Sequence, residues 1–396
     1  MQNLAVATIA GALILIASMA SAELGLSVAI VEIVLGVIGG NFLGLHTTPW
    51  VDFLASFASI VLTFLAGAEV DPDLLREKWK ESLLLGGASF LVPFLAAMAF
   101  VYYVLRWSSP AAQIAGVALS TTSLAVVYAV LVETGLTNTQ LGKLIMASTF
   151  VTDFGTALAL SLLFIRPGPL LIVFIVVSVV VVLGIPMISP WFFARYGGRV
   201  TEPEMKLIFA SLFLLMLVGE AGKSHAVLPA FLFGLSMARL LAANRMQLQR
   251  LRVVAFALLT PFFFLKSGMN VSLAAVIANL GWLLALLAIK LVAKFAGVFP
   301  LAQRYVSANK WYTTLLMSTG LTFGTISSLY GLNAGILNQA QFSVLVTTVI
   351  ATAVLPTLIA QRYFSPQQEH DLGEAISEAP VAEALMVAAP DGDSAR

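Results

Sequence analysis

Apolar residues fill this chain in long blocks separated by short polar breaks. A helix needs about 20 predominantly apolar residues to cross a bilayer. By that criterion the blocks predict roughly 13 spans, at about 3–21, 27–44, 51–68, 82–104, 111–133, 139–165, 169–191, 203–221, 225–241, 253–272, 278–303, 311–332 and 338–361. The fold class predicted is an all-α polytopic membrane protein. After Arg362 the chain turns rich in Glu, Ala, Pro and Asp. Residues 362–396 read as a short disordered cytosolic tail without a core. That tail is too short to be a nucleotide-binding regulatory domain.

Composition agrees. The 396 residues are 60% hydrophobic and 10% charged, with a mean hydropathy of +0.97. A soluble domain carries about 25% charged residues, and a surface so poor in charge would aggregate in water. Lipid is the solvent that suits it. The net charge of +1 gives no case for nucleic acid. No cysteine is present, so disulfides and thiolate chemistry are excluded. His46, His225 and His370 are scattered without metal spacing, and no cofactor is expected. Met1-Gln2-Asn3 lacks the basic residue of a cleavable signal, so the first block reads as a retained helix.

Lys and Arg set the orientation. With the N-terminus outside, the cytosolic loops hold Arg76, Lys78, Lys80, Lys143, Arg195, Arg199, Lys206, Arg239, Arg245, Arg250, Arg252, Arg304, Lys310 and Arg362. The outer loops hold only Arg106, Arg166 and Lys223. An odd count with this bias suits two six-helix halves of opposite orientation, joined by a linking helix at 169–191. Inverted repeats of this kind are typical of secondary transporters, whose sites lie near the midplane at interrupted helices. Two blocks look interrupted. The fifth contains Ser120-Thr121-Thr122-Ser123, and the twelfth contains Ser318-Thr319-Gly320-Leu321-Thr322-Phe323-Gly324-Thr325. Hydroxyls and glycines let a helix open and expose carbonyls; close packing of small residues is the plainer alternative.

A charge buried at the centre of a spanning helix costs at least about 2.5 kcal/mol, so it usually serves a function. Asp153 lies in the middle of the sixth block, and Thr149 stands four residues before it on the same face. Carboxylate and hydroxyl oxygens suit a hard cation. Desolvation disfavours a bare carboxylate, so Asp153 would hold a proton or a cation, one excluding the other. A structural carboxylate paired with lysine is the alternative. Lys290 and Lys294, four apart in the eleventh block, offer a counter-charge for Asp153. Alternatively they snorkel. Glu32 and Glu220 are candidates for a water-filled funnel, and Glu69 for a funnel or gate, or equally for a cap at the end of the third block beside Asp71 and Asp73. No enzyme motif is present.

These residues carry a resemblance over residues 1–361. The chain resembles the monovalent cation–proton antiporter superfamily. It is most similar to the bacterial and archaeal sodium–proton antiporters of the branch that holds the glutathione-gated potassium–proton exchangers. Phe64-Leu65-Ala66-Gly67-Ala68-Glu69, Thr121-Thr122-Ser123, Thr152-Asp153 and Pro261-Phe262-Phe263-Phe264-Leu265-Lys266-Ser267-Gly268-Met269 match its motifs. The resemblance implies a plasma-membrane homodimer that serves pH homeostasis. Its dimer part would be about 1–68 and 203–272. Its core, about 82–165 and 278–361, would contain crossed broken helices and slide like an elevator. Sodium or a proton would bind at Asp153, with Thr121, Thr122, Ser123, Thr149 and Thr152 nearby and Lys294 as the basic partner. The chain departs from the pattern twice. Thr152 stands where Asp, Asn or Gln is usual, which favours electroneutral exchange. Gly320-Leu321-Thr322-Phe323-Gly324 replaces an Arg-Gly-Glu stretch. Potassium–proton antiport is the close alternative. A sodium-coupled symporter of an organic anion would want a deep arginine, and no span has one. A channel or a membrane scaffold is the remaining reading.

Overall fold

In a computed structural model the described residues are 2–24, 27–70, 78–137, 139–164, 168–222 and 224–366, and they are helical with no strands among them. The predicted tail beyond residue 366 and the predicted loop positions Asp71, Asp73, Arg76, Arg166 and Lys223 lie outside them.

The helices follow the apolar blocks. The first half comprises α1 (Gln2–Leu24), α2 (Val28–Phe42), α3 (Pro49–Ala68), α4 (Trp79–Tyr103), α5 (Ser109–Ser120), α6 (Leu124–Glu133) and α7 (Gln140–Leu163). α8 (Pro169–Val179) continues through a π turn at Val180–Gly184 into α9 (Ile185–Tyr196). Next come α10 (Pro203–Ala221), α11 (Val227–Ala243) and α12 (Arg245–Val254). A second π turn, Ala255–Leu259, leads to α13 (Thr260–Met269) and the short α14 (Leu273–Ala278). The chain closes with α15 (Leu280–Tyr305), α16 (Lys310–Met317), α17 (Thr322–Asn333) and α18 (Gln339–Tyr363). Among the described residues nine helical runs are long and apolar enough to cross a membrane, and α2 and α11 are shorter apolar helices.

Two boundaries differ from the sequence expectation. The span expected from residue 253 begins at Arg245. Arg250 and Arg252 therefore sit on a helix rather than in a loop, held by ion pairs to Glu202 and Glu69. The linking helix expected to stop at 191 runs on to Tyr196.

Backbone approach through glycine defines the packing, as is usual where lipid supplies no hydrophobic drive between helices. A Cβ at Gly67 of α3 would stand 2.1 Å from the Phe231 carbonyl of α11, and one at Gly234 of α11 would stand 2.0 Å from the Phe64 carbonyl of α3. α2 and α13 repeat this reciprocity: Gly36 faces the Leu265 carbonyl at 2.2 Å and Gly268 the Ile33 carbonyl at 2.0 Å. A second group forms around α4. Gly86 of α4 would meet the Ser148 carbonyl of α7 at 2.4 Å, and Gly297 of α15 the Ala88 carbonyl of α4 at 2.8 Å.

Candidate functional site

Both suspected interruptions are real breaks. α5 ends at Ser120, Thr121–Ser123 are not helical, and α6 starts at Leu124. α16 ends at Met317 and α17 starts at Thr322. A helix end leaves its last carbonyls without partners, and here buried hydroxyls supply them. Ser120 and Thr121 donate to the Val117 and Ala118 carbonyls. Ser318 and Thr319 donate to those of Thr314 and Leu316. The two breaks are tied together as well. Thr122 Oγ1 donates to the Met317 carbonyl at 2.9 Å, and the Ser123 amide donates to Thr319 Oγ1 at 3.4 Å.

Both lysines of α15 reach this junction and are fully buried. Lys294 Nζ donates to Ser89 Oγ at 2.8 Å and to Thr122 Oγ1 at 2.9 Å. Lys290 Nζ donates to Thr352 Oγ1 at 2.8 Å. The same Nζ occupies the space a side chain on Gly320 would need, 2.3 Å from the Cβ position, and Thr121 Oγ1 lies 2.9 Å from that point. Two lysine amino groups thus stand at the two breaks, where helix C-termini carry partial negative charge that a protonated lysine would offset.

Asp153 is 2% exposed on α7. Its Oδ1 is buried with no hydrogen-bond partner among the described residues. Lys294 acts electrostatically on it, yet among the described residues no ion pair within 4.0 Å involves Asp153. A cavity of about 280 Å³ reaches the carboxylate. Its lining includes Leu62, Leu65, Glu69, Tyr128, Arg252 and Phe323. Glu69 accepts from Arg252 Nε at 2.7 Å. A second cavity of about 310 Å³, near Ser56, Ser59, Glu220 and His225, opens along the other end of α3.

The structure therefore gathers Thr121, Thr122, Ser123, Lys290 and Lys294 at the junction, with Asp153 and Glu69 on one cavity. The two threonines of α7 behave differently from expectation. Thr149 Oγ1 donates to the Ile145 carbonyl and to Met317 Sδ. Thr152 Oγ1 donates to the Ser148 carbonyl of its own helix at 3.0 Å and is within reach of the Gly86 carbonyl of α4 at 3.3 Å. Lys290 points to Thr352 rather than to Asp153. Glu32, expected on a funnel, is 2% exposed on α2 and does not line the Asp153 cavity. Glu220 does line the second cavity. Sequence reasoning missed Ser89, hidden among the small residues Gly86-Gly87-Ala88-Ser89, and assigned Arg252 to a loop.

Residues 9–364 match the family described as "Sodium/hydrogen exchanger, transmembrane". The chain is 26% identical over 352 residues to "Probable Na(+)/H(+) antiporter 3" of Methanocaldococcus jannaschii, covering 85% of this chain and 89% of that one. It is 24% identical over 353 residues to "Na(+)/H(+) antiporter NhaS4" of Synechocystis, covering 82% and 85%. Against "Cation/H(+) antiporter 20" of Arabidopsis thaliana it is 24% identical and spans 42% of that longer protein. Its fold is similar to that of the sodium proton antiporter MjNhaP1 of M. jannaschii, with a TM-score of 0.66 at 14% identity over 93% of this chain and all of that one.

Proposed function

The chain belongs to the sodium/hydrogen exchanger family of multi-pass membrane proteins, and from that premise we propose that it exchanges Na+ for H+ with Asp153 binding each in turn. One observation carries the assignment. Among the described carboxylates, Asp153 alone combines burial, an oxygen with an open lone pair and a cavity that reaches it. A carboxylate short of partners gains by taking either a proton or a cation. With Thr152 bonded to backbone carbonyls, one carboxylate serves the site, and exchange is electroneutral, one for one. Lys294 stays on Ser89 and Thr122 while a cation is bound, and its positive charge stabilises Asp153 as the anion once that cation has left.

The same reading extends to architecture. About 13 helices cross the membrane as two inverted six-helix repeats around the α8–α9 linker, with the N-terminus outside and the C-terminus cytosolic in the plasma membrane. The breaks in the fifth and twelfth predicted segments support it. The glycine contacts support it too, because α2 with α13 and α3 with α11 exchange places when the halves are swapped. They also support the division into a dimer part (about 1–68 and 203–272) and a core (about 82–165 and 278–361) that carries Asp153 by sliding. A homodimer is the expected assembly.

Purified protein in sealed liposomes with a pH-sensitive dye inside tests the proposal. Sodium added outside should dissipate a preset pH gradient, and Asp153→Asn should abolish that response. A response to potassium alone would change the cation and keep the mechanism. A response that Asp153→Asn leaves intact would overturn the assignment.

A further inference from the structure

The two cavities share two helices. On α3 the second cavity takes Ser56, Ser59 and Ile60, and the Asp153 cavity takes Leu62 and Leu65. On α17 the change falls between Phe323 and Ile326. At 1.5 Å per residue these steps span about 3 Å and about 4.5 Å along the helices. Along both helices the two linings are therefore less than one turn apart, and Asp153 belongs to one of them.

One side chain packs against that boundary. Phe231 of α11 is fully buried. Its ring stacks on Phe150 at 5.2 Å and lies 5.9 Å from Phe154, the residues three before and one after Asp153 on α7. It also meets Phe323, on the floor of the Asp153 cavity, at 6.4 Å. The rings Phe231 touches come from α7 and α17, both of which line the Asp153 cavity. Phe231 itself belongs to the helix that Gly67 and Gly234 fasten to α3. In the proposed division it belongs to the part that stays fixed, and α7, which bears Asp153, packs against it.

We propose that Phe231 is the coupling residue of the exchanger: its ring closes the thin apolar layer between the two cavities, so that Asp153 meets water from one side at a time. The inference rests on the assignment of exchange to Asp153. A narrow apolar constriction excludes ions and protons because it does not hold a continuous water file. A vacated phenyl ring leaves more than the roughly 10–15 Å³ of probe-occupied space that one water needs. Each cavity carries polar groups for water to bind, Asp153 in one and Ser59 in the other.

The experiment measures leak and exchange separately in sealed liposomes. Leak is the collapse of a preset pH gradient in sodium-free choline medium, with tetraphenylborate carrying the compensating charge. Wild type should hold the gradient nearly as well as protein-free vesicles. Phe231→Ala should collapse it at least about tenfold faster once the constriction wets, while still binding and moving sodium. Phe231→Leu, which keeps most of the volume, should leak to an intermediate extent, and Phe231→Tyr should hold. Asp153→Asn with Phe231 intact should neither exchange nor leak. If Phe231→Ala and Phe231→Leu both exchange sodium and hold the gradient like wild type, the proposal is overturned. If instead Asp153→Asn still exchanges, the functional assignment fails on its own, whatever the leak result.

Discussion

Replacing Ser89 with alanine removes one of the two acceptors that hold the Lys294 ammonium. The hydroxyl lies 2.8 Å from Nζ and is fully buried. A hydrogen bond to a charged group contributes roughly 1.5–3 kcal/mol. Ser89 and Lys294 are both fully buried, so the ammonium must find another acceptor within the protein. Thr122 already accepts from it at 2.9 Å. The remaining group of opposite charge is Asp153, whose Oδ1 is open and which already interacts electrostatically with Lys294. A lysine drawn onto Asp153 competes with sodium by the energy it gains there. At 1.4 kcal/mol per factor of ten, the sodium concentration for half-maximal exchange should rise roughly 10- to 100-fold in Ser89→Ala. The maximal rate at saturating sodium should change much less. Sodium titrations of dye-reported proton movement read both quantities. Ser89→Thr, which restores the hydroxyl, should recover most of the affinity. A half-saturation in Ser89→Ala within about twofold of wild type, under 0.5 kcal/mol, would show that Ser89 does not hold the lysine away from the carboxylate.

Two further results are expected. Gly86→Ala forces a Cβ to within 2.4 Å of the Ser148 carbonyl, whereas Gly87→Ala meets nothing within 4 Å. Overpacking costs typically about 1–3 kcal/mol, so thermal unfolding in detergent should shift down for Gly86→Ala and stay unchanged or rise for Gly87→Ala. At the cavity mouth the Glu69–Arg252 pair is 22% and 40% exposed and contributes at most about 1 kcal/mol to stability. Glu69→Gln leaves an uncompensated cation beside the path to Asp153 and should raise the sodium half-saturation a few-fold; Arg252→Gln should lower it. Both effects should shrink at high ionic strength, and initial-rate titrations at two choline chloride concentrations would show whether they do.

Helix positions were legible from the sequence because lipid imposes a single criterion, an apolar length, on every span. Asp153 was legible because a carboxylate in an apolar block has no cheap explanation. Thr121–Ser123 and Ser318–Leu321 could be suspected as breaks from hydroxyl density alone. The partners were not legible. Whether Lys290 turns to Thr352 or to Asp153 depends on the space left by Gly320, which lies 30 residues away in the chain. Ser89 carries no signal, because serine in a small-residue helix face is ordinary. The helical state of Arg245–Arg252 was hidden because its charges break the apolar criterion, and only their ion pairs to Glu202 and Glu69 show that the helix continues.

The reciprocal glycines restrict how this protein can change over generations. Each of Gly36, Gly67, Gly234 and Gly268 abuts a carbonyl oxygen of the opposite helix, and every amino acid carries that same oxygen. A larger residue at any of the four therefore has no second-site suppressor on the facing position, since no substitution there removes the obstructing atom. Side chains elsewhere in the core can drift in compensating pairs, large for small. At these two junctions drift is closed in both helices at once, and a lineage can leave glycine only by spreading the helices apart.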